Sequence, residues 1–460
     1  MDYLYVLFFG CILAFVTAFT VLKSDLLSPS VIVSGVFLIS IAVAMSNKSR
    51  WNILYSREAT NILLLGIMTF AITDIVCNFF SVCIPSKTIK LSKSAAKSSG
   101  YVLIQKNVLH FFVLCELIGI GLYYVNIAQI VGTNILDVQA TLAVYRATQV
   151  GSVTAEDTTN VFLTFLNRFL RAYAYVSLFI FCQNWRNANT KQQRRESLSL
   201  LVPGLYLLAI CFINSSRGEI IKIITFVFAA NYIIRENKEK WKRKHGVKYL
   251  VVALKVLAVF IPAFYLLALI MNRVPKETMI DYLSSYVGGS IQHFNQYILN
   301  PPAKDAGTFG AETFAGVQSL LLRLGLIQVK ASSHLEFRWL TTTTHGNIYT
   351  FFRRPLQDFG IGGMILFTIF IAGGFSIIYH FFIQKMLPGK GKNLLSLYYC
   401  YFLPWLTMAS IEQLSVSYIS IGTAVECFFI MVCYKIFYEM KYRNGVIYFA
   451  GKTRSGMREV

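Results

Sequence analysis

Residues Phe359–Ile383 read FGIGGMILFTIFIAGGFSIIYHFFI, an unbroken run without aspartate, glutamate, lysine or arginine. A helix rises 1.5 Å per residue, so about 20 apolar residues cross the roughly 30 Å hydrocarbon layer of a bilayer. Working outward, blocks of the same kind recur along the chain. The predicted spans are 3–22, 28–45, 59–84, 108–131, 161–183, 198–213, 219–234, 249–271, 359–383, 394–413 and 419–438. This gives an all-α polytopic membrane protein of about eleven (ten to twelve) transmembrane helices. The composition agrees: 55% of the 460 residues are hydrophobic and 14% are charged, where a soluble domain carries roughly a quarter.

The formal net charge of +21 raises the question of nucleic acid, and its distribution answers against it. Lysine and arginine gather in short segments between apolar blocks, at 87–106, 186–195, 235–248, 385–392 and the tail 439–460. Alternating spans put all five on one face, which the positive-inside rule makes cytoplasmic. A nucleic-acid binder would concentrate them on one soluble domain with interleaved aromatics. The predicted organisation is then spans 1–8 over 1–271, an extracytoplasmic loop with amphipathic helices over 272–358, spans 9–11 over 359–438, and a basic cytoplasmic tail. The linker 47–58 carries Lys48, Arg50 and Arg57 yet falls on the outer face. The first block lacks a basic leader and a cleavage pattern, so it reads as a retained helix. The nine cysteines form no C-x-x-C pair and avoid the long loop, which reads as apolar packing rather than zinc or disulfides.

Ionisable side chains inside spans are costly and mark function. Here the cations sit toward the outer face. Arg168 and Arg171 share one face of the fifth span, Arg217 precedes the seventh, and Lys222 lies one turn inside it. Arg273 ends the eighth span, and Arg353 and Arg354 precede the ninth. Guanidinium groups grip phosphate in a planar fork, so these seven are read as binding a lipid diphosphate. Glu412 and Glu426 are read as their ion-pair partners or as a base; Asp74, Glu116 and Lys255 lie deeper and are read as internally paired. In the long loop, the stretch from Glu312 to Gly325 has the apolar spacing of a surface helix. His345 is a general-base candidate at neutral pH, and Asp358 is placed to cap the ninth span.

Several stretches resemble the O-antigen polymerase, or oligosaccharide repeat-unit polymerase, family. They are Ser216-Arg217-Gly218, Tyr286-Val-Gly-Gly-Ser-Ile-Gln-His-Phe-Asn295, Phe309-Gly-Ala-Glu-Thr-Phe-Ala-Gly316, Asn347-Ile-Tyr-Thr-Phe-Phe-Arg353 and Asp358-Phe-Gly-Ile-Gly-Gly363. The resemblance implies a GT-C-like glycosyltransferase of the bacterial inner membrane, with its site facing the periplasm. It would join undecaprenyl-diphosphate-linked repeat units by metal-independent transfer, with no cofactor and undecaprenyl diphosphate as leaving group. Expected partners are these lipid-linked oligosaccharides, membrane lipids and a chain-length regulator protein. On this reading Arg217 acts with His345, or with Glu312 or Glu336, at the reacting atoms, while Asn347, Tyr349 and Asp358 bind sugar. The alternatives are an O-antigen ligase, which differs in its acceptor, and a lipid-linked oligosaccharide flippase or other transporter, which would show pseudo-symmetric halves.

Overall fold

A computed structural model of the chain describes residues 2–83, 100–149, 160–214, 216, 218–241, 248–253, 255, 258, 265–266, 278–303, 310–327, 335–386, 389–443 and 446–449. Among the described residues the protein is all-α, with strands confined to two short hairpins. Among the described residues, seven helices are long and apolar enough to cross a membrane: Tyr3–Val21, Pro29–Ser46, Arg57–Cys83, Lys106–Val131, Lys191–Ile213, Arg353–Ile383 and Ile421–Tyr438. The chain is thus multi-pass.

The other expected spans differ for identifiable reasons. Those at 161–183 and 219–234 are helices, Val161–Asn187 and Gly218–Lys238, and both carry ionisable side chains along their length. The expected span 394–413 is not one continuous helix. Lys390–Phe402 stops before Pro404, which lacks an N–H. The expected span 249–271 lies largely outside the described residues.

The chain forms two compact units. The first comprises Met1–Leu91, Glu236–Leu387 and Tyr399–Thr423. Its helices are α1 (Tyr3–Val21), α2 (Pro29–Ser46), α3 (Arg57–Cys83), α4 (Met279–Leu299), α5 (Ala315–Arg323) and α6 (Arg353–Ser376). Helices α1–α3 pack against one another through fully buried residues such as Leu7, Cys11, Phe37, Ile41 and Leu63. Gly66 of α3 gives room to the Phe352 ring, where an added Cβ would lie 2.5 Å from ring carbon, and Phe37 stacks on Phe352 at 5.5 Å.

Helix α4 is a 21-residue helix inside the segment expected as loop. It crosses one end of α2 and α3. A Cβ on Gly288 would come within 2.8 Å of the Ala44 backbone nitrogen. Asn295 accepts from the Ser56 amide at 2.9 Å and donates to the Leu54 carbonyl at 3.0 Å, and Arg50 pairs with Asp281. The linker 47–56 and the segment 279–299 therefore share one end of this unit.

At its other end, Asp74 is fully buried. Its Oδ2 accepts from Ser28 Oγ (3.0 Å) and from Ser30 N (2.9 Å) and Oγ (2.6 Å). Its Oδ1 accepts from Ser376 Oγ (2.7 Å) and lies 2.8 Å from His380 Nε2, within a π-helical segment, Ile377–Ile383. This is the internal pairing expected for Asp74. Asp74→Leu leaves these donors and His380 without an acceptor in an apolar bundle, a loss of about 3–5 kcal/mol. Asp74→Asn, which retains an oxygen, should lose less. Thermal unfolding in detergent, compared across the two variants, measures the difference.

The second unit comprises Ser92–Arg235, Pro388–Tyr398 and Ala424–Val460. It contains Lys106–Val131, Val161–Asn187 and Gly204–Ile213, whose contact surface includes Tyr123, Ile127, Leu170, Tyr206 and Ile210. Gly119 allows Leu170 to seat, since an added Cβ would lie 2.6 Å from it. The segment Lys191–Ser197 begins with a reciprocal cap between Thr190 and Gln193.

Candidate active site

Arg353 opens α6 and is fully buried. An isolated buried guanidinium is prohibitively costly, and the fold meets it with two carboxylates. Nη1 bonds Glu312, and Nη2 donates to Glu336 Oε2 at 2.7 Å. Two aromatic faces complete the enclosure. The guanidinium carbon is 4.5 Å from the Tyr297 ring centroid and 5.3 Å from that of Tyr349, within cation–π range. Arg338 buttresses Glu336 from the far side. Its Nη2 lies 3.2 Å from Glu336 Oε1, its Nε donates to Tyr349 Oη at 3.0 Å, and Nη1 and Nη2 donate to the carbonyls of Gln296 and Asn300. Arg354 donates to the Glu312 carbonyl at 3.2 Å.

The two carboxylates respond differently to the same cation. Burial pushes Glu312 up to about 7, against the pull of Arg353 and Arg354. Burial also raises Glu336, but Arg353, its own backbone hydrogen bonding and Arg338 outweigh that and hold it below its ordinary value. Glu336 has the more exposed side chain, 27% against 17%, and its carboxylate accepts from the side chains of both Arg353 and Arg338. The pair therefore consists of one firm carboxylate and one group poised to take or give a proton near neutrality, the condition for general acid–base work.

Asp358 does not cap a helix. It lies inside α6, and its carboxylate accepts from the backbone amides of Glu312 (3.2 Å) and Thr313 (2.6 Å). It thereby fixes the turn that presents Glu312. The helix itself is interrupted two residues later at Gly360, whose φ of +69° is open to glycine. The expected surface helix begins at Ala315, after this turn, rather than at Glu312. Tyr349 is buried, with its hydroxyl donated to the Glu336 carbonyl, so it walls the Arg353 centre rather than offering that hydroxyl to a sugar. Asn347 is half-buried on the segment between the hairpin and Tyr349.

His345 sits elsewhere on the same segment, paired across a hairpin with Trp339. Its ring lies 4.5 Å from Trp339 and 5.5 Å from Phe337. Among the described residues none of its contacts is with Glu312, Glu336 or Arg353. The histidine beside the centre is His293, which the sequence reading passed over. Its Nδ1 lies 3.0 Å from the Ile348 carbonyl and its ring 5.8 Å from Tyr349, and burial lowers it to about 4, so it is neutral. Arg338 and Tyr297 were missed as well. His293 lay inside the quoted stretch Tyr286–Asn295, and Tyr297 two residues beyond it.

Three of the remaining expected cations form a second group, in the second unit. Arg171 Nη2 lies 3.0 Å from Glu219 Oε2 and its Nε 3.4 Å from Glu426 Oε1. Arg168 lies 3.8 Å from Glu426, and Lys222 2.6 Å from Glu219. Glu426 is thus an ion-pair partner, one of the two roles expected for it. Among the described residues this group brings three cations together with two carboxylates. Arg217 and Arg273 fall outside the described residues. No protein-family model, curated protein or solved structure matches the chain.

Proposed function

We propose that this chain is a membrane glycosyltransferase that polymerises undecaprenyl-diphosphate-linked oligosaccharide repeat units into a surface polysaccharide. On this reading it is a GT-C-like protein of about eleven spans in the bacterial inner membrane, with its site toward the periplasm and its C-terminus in the cytoplasm. The observation that carries the reading is the buried Arg353, held between Glu336 and a Glu312 that titrates near neutrality.

A hydroxyl oxygen of the incoming repeat unit attacks the anomeric carbon of the growing chain. Its proton passes to the Glu312 carboxylate. The bond from the anomeric carbon to the diphosphate oxygen breaks, and undecaprenyl diphosphate leaves with the electron pair. Arginine stabilises the charge that develops on the leaving oxygen, an interaction worth most where water is excluded. Arg354 serves at the reacting atoms, and the enclosed Arg353 positions Glu312 and Glu336. Arg168, Arg171 and Lys222 are the cations of the second unit that suit an anionic lipid headgroup.

The test is the gel ladder of surface polysaccharide in the host with the gene deleted and restored. The expected result is loss of long chains, with lipid A core still bearing single repeat units. A core bearing no repeat unit at all points to a ligase instead, and an unchanged ladder removes the proposal.

A further inference from the structure

The hairpin that closes over α4 has two dissimilar faces. Its strands pair Arg338 with Gly346 and Trp339 with His345. The first pair faces inward. Arg338 joins Glu336 and Tyr349, and Gly346 lies against His293, where an added Cβ would be 3.0 Å from the imidazole. The second pair faces outward. Trp339 is 57% exposed and Phe337 49%, and the His345 ring lies against both. The turn beyond them is Thr341-Thr342-Thr343-Thr344, with Thr342 and Thr343 exposed. Gln296 fixes the strand from below by donating to the Trp339 carbonyl at 2.8 Å.

We propose that Phe337, Trp339 and His345, with the adjoining threonine hydroxyls, form a carbohydrate-binding subsite for pyranose rings of the oligosaccharide substrate. This rests on the polymerase reading and adds a subsite to it. The argument has three parts. The C–H edge of a pyranose carries partial positive charge, which suits the negative face of an indole or phenyl ring. The rings already rest on one another and on a hairpin anchored at Gln296, so little conformational freedom is lost when a sugar docks. The patch also shares its strand with the charged centre: Arg338, which precedes Trp339 and turns to the opposite face, contacts the same Glu336 that holds Arg353. Its border of hydroxyls distinguishes it from the apolar side chains exposed along the spans, such as Phe9, Leu13, Leu366 and Phe370.

The test uses the full-length protein in lipid nanodiscs. The probe is the free oligosaccharide of two repeat units, released by mild acid from the host's own polysaccharide, without lipid or phosphate. The heat of binding, read by titration calorimetry, should saturate in the native protein, weaken in Trp339→Phe and vanish in Trp339→Ala. In vesicles carrying lipid-linked repeat units, Trp339→Ala should raise KM for the acceptor at least fivefold and shorten the modal chain. Equal titrations for native protein and Trp339→Ala, with matching thermal midpoints, overturn the subsite. So does quenching of Trp339 by phospholipids brominated on the acyl chain, which would make the hairpin a bilayer anchor. Failure of the native protein to join repeat units in those vesicles would count against the polymerase reading alone, because the oligosaccharide titration requires no turnover.

Discussion

Arg353→Lys should lower the rate of repeat-unit joining by about 10²–10³-fold while the protein still reaches the membrane. Lysine keeps the charge but loses the planar fork that spans Glu312 and Glu336. Its ammonium can satisfy one carboxylate well and the other poorly. Displacing a catalytic group by about 1 Å costs on the order of 10²-fold in rate. Arg353→Met goes further. It leaves both carboxylates without their shared cation in a buried setting, and breaking a buried pair in this way costs about 3–5 kcal/mol of stability. The two variants separate catalysis from folding. Lysine should depress turnover with a modest fall in thermal midpoint, whereas methionine should depress both. Joining rates in vesicles and midpoints in detergent, read side by side, check this. Full turnover in Arg353→Lys would remove the arginine from the reacting centre.

The second large effect concerns Glu312. As a base it works in the ionised form, and burial raises it from its ordinary value of 4.5 to about 7. The joining rate should therefore rise with pH through about 7 and level off above, falling roughly tenfold per unit on the acid side. Glu312→Gln keeps an oxygen for Arg353 but cannot take a proton. Its rate should be about 10²–10⁴-fold lower, with the acid limb gone.

Stability should move the opposite way. A carboxyl whose folded value lies above its unfolded one favours the fold in its neutral form. That contribution is full below about 4.5 and is lost as pH rises through about 7. The native thermal midpoint should therefore fall between pH 5 and 8 relative to that of Glu312→Gln. A pH–rate profile unchanged in Glu312→Gln would transfer the base role elsewhere.

The membrane character of this chain and the placement of most of its long apolar helices were legible without coordinates. Length and hydropathy are local properties, and a run such as Phe359–Ile383 can satisfy its backbone in lipid only as a helix. Where local pattern was interrupted, it misled. Pro404 splits a block that reads as one span. Helix α4 was hidden because Gln292, His293, Asn295 and Gln296 interrupt its apolar residues, yet it is buried across the end of α2 and α3.

The residue types of the charged centre were also visible, since arginine and glutamate beside spans are costly enough to announce themselves. Their partnerships were not. Arg353 meets Glu312 across 41 positions and Glu336 across 17, and neither separation follows a helical or strand period. Only the packing of the long segment onto α4 and the start of α6 brings them together. The same packing set Asp358 beneath the Glu312 turn, turned His345 outward and drew His293 in. Secondary structure follows from neighbours along the chain, whereas a buried ion pair depends on which distant surfaces exclude water together, and that was decided by the tertiary fold.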